Sequence, residues 1–159
     1  MRILIATLIA IGTMALATET AVAQLAEKKV LTLEAARKMV AAAEAAAEHQ
    51  HLRGVIAICD DGGWLILVER MDNPAYTASV ELAPEKARTA ALFKKPTAAL
   101  ESAINQGRIA AVTARGFVEM QGGLPIIVDG QVIGGIGASF DTPEHDVEIA
   151  QAGLAALSR

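Results

Sequence analysis

Aromatic side chains are scarce in this chain, at 3% of 159 residues: one Trp, one Tyr and three Phe. So thin a supply argues against large aromatic binding platforms. Cysteine is scarcer still, because Cys59 stands alone and has no partner for an internal disulfide. No basic run exceeds the pair Lys94-Lys95, and the net charge is -4. Contact that neutralises a nucleic-acid backbone needs a basic footprint, so it has no support here. What the chain does have is aliphatic residues. Its 53% hydrophobic content exceeds what a disordered chain carries, and its length suits one domain with a core of Ala, Ile, Leu and Val.

The first segment reads as an address. Met1-Arg2 is a short positive start, Ile3 to Ala17 is an uncharged apolar run of fifteen residues, and Ala21-Val22-Ala23 offers small residues at a cleavage site. A spanning helix wants about 20 apolar residues, so the pattern fits a secretory signal better than an anchor. Residues 1–23 are expected to be removed. Residues 24–159 would then form a single domain in the periplasm or outside the cell, without stable membrane insertion.

Hydrophobic spacing outlines the elements of that domain. Thr32 can cap a helix whose apolar positions Leu33, Ala36, Val40, Ala43 and Ala47 recur every three or four residues, ending near His49. Val55–Cys59 and Trp64–Val68 read as a hairpin around Asp60-Asp61-Gly62-Gly63. Helical spacing follows from Thr77 to Phe93, with Val80, Ala83, Ala87, Ala91 and Leu92 apolar, and Pro84 predicts a kink or restart. Thr97 can cap a short helix over 98–106. Phe117–Met120 reads as a strand, and Leu124–Val128 pairs with Gln131–Ser139 through Asp129-Gly130. Thr142-Pro143-Glu144 starts a last helix with a stripe of Val147, Ala150, Leu154 and Leu157. Hairpin connections make the sheet mainly antiparallel, so the fold class is α+β.

Several constellations invite chemistry. Gly134-Gly135-Ile136-Gly137 fails the dinucleotide context, because no third Gly follows at the required place and the strand is entered from a hairpin. Close packing of a helix against the strand explains these glycines better. Ser79, Ser102 and Ser139 lack a nucleophile elbow, and His49 and His51 lack a nearby third ligand for zinc. His49, His51 and His145 are nonetheless the strongest neutral donors for a transition metal. Arg70, Lys86, Arg88, Lys94 and Lys95 form the densest cationic set. They suit either salt bridges to Asp72, Glu81 and Glu85 or the carboxylates of a small ligand. Cys59, inside an apolar run, reads as a buried small hydrophobe.

The strings Asp60-Asp61-Gly62-Gly63, Leu67 to Asp72, Lys86 to Phe93 with Pro96-Thr97, and Gly122-Gly123-x-Pro125-Ile126 with Asp129-Gly130 resemble the GlcG/HbpS family, also called the haem-degrading domain family. Thr142-Pro143-Glu144 with Asp146 to Ala156 extends the resemblance to about residues 31–157. It implies a profilin-like α/β/α arrangement with a five-stranded antiparallel sheet. It also implies haem as cofactor, and self-assembly as a homo-oligomer. On that basis the chain is expected to be an exported haem-binding protein acting in haem sequestration, sensing or degradation. The resemblance carries over no axial ligand; from their own chemistry His49, His51 or His145 would serve, and Arg70, Lys86 or Arg88 would meet the propionates. The alternatives are a protein or accessory enzyme that binds a small organic acid without haem, and an accessory subunit acting only by assembly. Two features depart from the family pattern: Pro84 within a helix, and the segment from Arg108 to Gly116, which could reshape a pocket rim.

Overall fold

The computed structural model describes residues 26–157, so the expected signal segment lies outside the described residues. The elements run α1 (Leu33–His49), β1 (Val55–Asp60), β2 (Leu65–Arg70), α2 (Ser79–Phe93), α3 (Thr97–Asn105), a 3-10 helix (Ile109–Thr113), β3 (Gly123–Val128), β4 (Gln131–Ser139) and α4 (Pro143–Ala155). The strands form one antiparallel sheet in the order β2-β1-β4-β3. On one face, Ile56, Ile58, Ile126 and Ile136 pack with Met39 and Ala43 of α1 and Ile149 and Ala150 of α4. On the other, Val55, Ala57 and Cys59 meet Ala83, Ala87 and Ala91 of α2. The α+β class with helices on both faces therefore holds. None of the described helices is long and apolar enough to cross a membrane.

The sheet has four strands among the described residues where five were expected. Residues 117–120 do not form the predicted strand, and one backbone donor within the segment and one just after it go to side chains instead. The Val118 N–H donates to Thr89 Oγ1 at 3.0 Å, and the nearby Gln121 N–H donates to Glu101 Oε2 at 2.7 Å. The segment is thereby tied to α2 and α3, and β3 is left as an edge.

Local chemistry explains the ends of most elements. Thr32 Oγ1 accepts from the Ala35 N–H, and Thr142 Oγ1 accepts from the His145 N–H, each at 3.2 Å. Asp60 Oδ1 accepts from the N–H groups of Gly62 and Trp64 and so closes the first hairpin turn. At the second, Asp129 and Gly130 both take positive φ, 48° and 75°, as a two-residue turn of primed type requires. The α4 stripe is rotated from the predicted one. Asp146, Ile149, Ala150 and Gly153 are its buried positions, because Gly153 allows close approach to Met39 and Ala43 of α1.

Helix α2 departs from expectation in two ways. It runs unbroken through Pro84, since the missing N–H would have served only the carbonyl of Val80 in the exposed first turn. Val80 faces solvent, and Lys86 takes a fully buried position instead. The helix also lies directly on the sheet. A Cβ at Gly135 would meet the Ala87 carbonyl oxygen, and one at Gly137 would meet that of Ala83. The glycine-rich string is thus a packing seam, as read from the sequence. Thr97 does not cap α3. It is the first residue of that helix, and its hydroxyl accepts from the Gly123 N–H at 2.9 Å, fastening α3 to β3.

Candidate functional site

The three predicted anion-binding cations do not converge. Lys86 is 1% exposed, with Nζ 2.5 Å from Asp146 Oδ2 and 3.3 Å from the Ala138 carbonyl oxygen. Its partner is none of Asp72, Glu81 or Glu85, and its ammonium is enclosed rather than presented to a ligand at the surface. Burial pushes the Asp146 carboxyl up, while Lys86 and the Phe140 N–H pull it back.

Arg88, two residues further along α2, points elsewhere, since helix positions i and i+2 do not share a face. Its Nη1 lies beside Gly63 in the β1–β2 turn, and its guanidinium sits 5.4 Å from the centre of the Phe117 ring. Phe117 meets Phe93 edge to face, with ring centres 4.9 Å apart. Arg70 closes β2 at the opposite end of that strand. With a strand rising about 3.3 Å per residue, it stands roughly 16 Å from the turn that Arg88 touches.

The histidines occupy the α1/α4 side of the sheet. His49 and His51 are exposed at the end of α1, and Gln50 between them donates to Glu148 of α4 at 3.0 Å. His145, in the first turn of α4, has Nδ1 2.7 Å from Asp141 Oδ1. That hydrogen bond raises the His145 pKa above its ordinary value and lowers that of Asp141. Among the described residues, no three His, Cys, Asp or Glu side chains are grouped to hold a metal ion.

A cavity of about 440 Å³ opens beyond the C-terminal end of α2, between α3 and the 3-10 helix. Its wall is apolar, with Phe93, Leu100, Ala103, Ala110, Ala111 and Ala114, and Lys95 and Arg108 are its two cations. Thr113 and Glu119 contribute oxygens, and no histidine lines it. The segment that departs from the family pattern thus forms one wall of this cavity. Lys95 belonged to the cationic set read from the sequence, but Arg108 was missed. Its only signal was its place at the head of that irregular segment. A second cavity, of about 390 Å³, lies beside the β1–β2 turn and includes Arg88, Glu85 and Trp64.

The model of the family described as "Haem degrading protein HbpS-like" matches residues 31–155. This chain belongs to that family. Among its HbpS-like relatives, protein GlcG of Escherichia coli K12 is 41% identical over 112 residues, covering 70% of this chain and 83% of GlcG. HbpS of Streptomyces reticuli, solved as a double mutant, superposes with a TM-score of 0.80 at 29% identity, covering 98% of this chain and 99% of that one. The structure of a PduOC:haem complex superposes with a TM-score of 0.74 at 30% identity, covering 80% and 95%. The resemblance read from separated strings is therefore membership, and haem is bound by a relative of the same fold.

Proposed function

We propose that this HbpS-like chain is an exported haem-binding protein that seats the porphyrin in the cavity between α3 and the 3-10 helix. The observation that carries the reading is the composition of that cavity. Its apolar wall suits a planar macrocycle, and the two cations that line it, Lys95 and Arg108, suit propionates. Its volume of about 440 Å³ falls within the ordinary range for small-molecule sites. The haem complex of a relative supports the choice of ligand. Bound haem would supply an iron centre whose axial ligand and surroundings set its chemistry. Ring opening would further require an electron donor and controlled oxygen access, and the proposal stops at binding. Export, to the periplasm or beyond, rests on the pattern of residues 1–23. The expected homo-oligomer is part of the same proposal, and its mass in solution tests it.

A second reading, a small organic acid bound without haem, is favoured by one observation: among the described residues the cavity lining contains no His, Cys or Met to ligate iron. Haemin titration of residues 24–159, followed at the Soret band, separates the two. Saturable binding of one haem per chain, weakened about tenfold by Lys95→Ala or Arg108→Ala, supports the cavity. Loss of binding in His49→Ala, His51→Ala or His145→Ala instead would place the haem at the α1/α4 side. Absence of a saturable Soret shift would overturn haem binding and leave the organic-acid reading.

A further inference from the structure

The second cavity contains opposite charges with no partner in each other. Glu85 and Arg88 lie one turn apart on α2, and both line the space of about 390 Å³ beside the β1–β2 turn. Glu85 Oε2 is buried and has no hydrogen-bond partner. A buried carboxylate oxygen left in that state is costly, and a donor entering the cavity would satisfy it. Arg88, three residues on, is packed over Phe117 and makes no ion pair among the described residues.

The remaining walls define what else would enter. Trp64 is 76% exposed at the rim, an unusual position for an indole, and presents a flat apolar surface next to the two charges. Cys59 also lines the space. Burial pushes its thiol up to about 12, so this wall is neutral. Glu85 and Arg88 are therefore the only charges lining the cavity among the described residues.

We infer that this cavity is a second binding site, for a small zwitterion of the amino-acid class. The ligand carboxylate would meet the Arg88 guanidinium, its ammonium would donate to the Glu85 carboxylate, and a flat or aliphatic side group would lie on Trp64. The inference is independent of the haem reading, because it uses neither Lys95 nor Arg108.

Trp64 is the only tryptophan in the chain, so its emission reports this cavity directly. The experiment titrates the protein with phenylalanine, with 3-phenylpropionate, which keeps only the carboxylate, and with phenethylamine, which keeps only the ammonium. Phenylalanine is expected to give a saturable change in emission, and each half-ligand to bind about tenfold more weakly. Glu85→Gln should remove the preference for phenylalanine over 3-phenylpropionate. Arg88→Gln should remove its preference over phenethylamine. Both positions are partly exposed, and unchanged far-ultraviolet circular dichroism and thermal unfolding check that each variant is folded. No saturable change with millimolar phenylalanine, or equal binding of all three compounds, would overturn the inference, as would binding indifferent to both substitutions. None of these results would alter the haem titration.

Discussion

Lys86 Nζ stands 2.5 Å from Asp146 Oδ2, and this buried ion pair joins the middle of α2 to the first turns of α4. The two helices lie on opposite faces of the sheet, so the pair meets where β4 ends and β3 begins, beside Ala138 and Gly122, and holds both layers together there. Removing one partner leaves a charge buried without compensation. Lys86→Met is therefore expected to destabilise the fold by about 3–5 kcal/mol, read as a lowered urea midpoint. Asp146→Asn should also destabilise, because it weakens the acceptor of the Phe140 N–H as well. A midpoint unchanged in both variants would contradict the structural role given to the pair.

Acidity gives a second expectation, at the surface pair of His145 and Asp141. The folded pKa of His145 lies above its ordinary 6.5, so its stabilising contribution is complete below that value and is lost as pH rises through the folded pKa. Asp141 is lowered from 3.8, so its contribution is present above that value and is lost as pH falls through the folded pKa. The pair therefore stabilises most between these limits. Titration of the His145 ring by NMR should give a midpoint above 6.5, returning toward that value in Asp141→Asn. The gap in urea midpoint between the parent and His145→Gln should narrow as pH is raised toward 8.

Glycines separate two kinds of cost. Gly135→Ala drives a Cβ into the Ala87 carbonyl, which is backbone and cannot swing aside. A loss of about 3 kcal/mol or more is expected, at the upper end of overpacking effects. Gly130→Ala meets nothing within 4 Å, but forces a side chain onto a residue with φ of 75°. Its expected cost is about 1–2 kcal/mol. Thermal unfolding of the two variants should rank them in that order.

Cys59 should be inert in the folded protein. Its thiol is 1% exposed and pushed up to about 12 by burial, so the thiolate that reacts with disulfide reagents is scarce. Reaction with a chromogenic disulfide is expected to be negligible in buffer and complete in denaturant. Fast labelling of the native chain would show that the strand β1 floor opens.

Much of the fold was legible because its signals are local. Thr32, Asp60, Asp129-Gly130 and Thr142-Pro143 each determine a turn or a helix end through groups a few residues apart, and each does so in the structure. What escaped the sequence depends on distant partners. Phe117–Met120 has strand-like residues, but Thr89 and Glu101, remote in sequence, supply competing acceptors for its neighbourhood. Lys86 looked like a surface cation until Asp146, sixty residues away, was placed against it. The cavity cations followed the same rule: Lys95 stood out by density of charge, whereas Arg108 gained its place only when the 3-10 helix folded opposite α3.

The glycine seam between β4 and α2 has a consequence for where this chain can change. With helix backbone laid against strand backbone, no space separates β4 from α2 that could be widened for a guest without dismantling the seam. The 440 Å³ cavity accordingly lies beyond that slab, walled by residues between Phe93 and Glu119. New ligand preference at that cavity would thus be written by exchanging the stretch from Lys94 to Gln121 as a cassette, on a frame that stays constant beneath it.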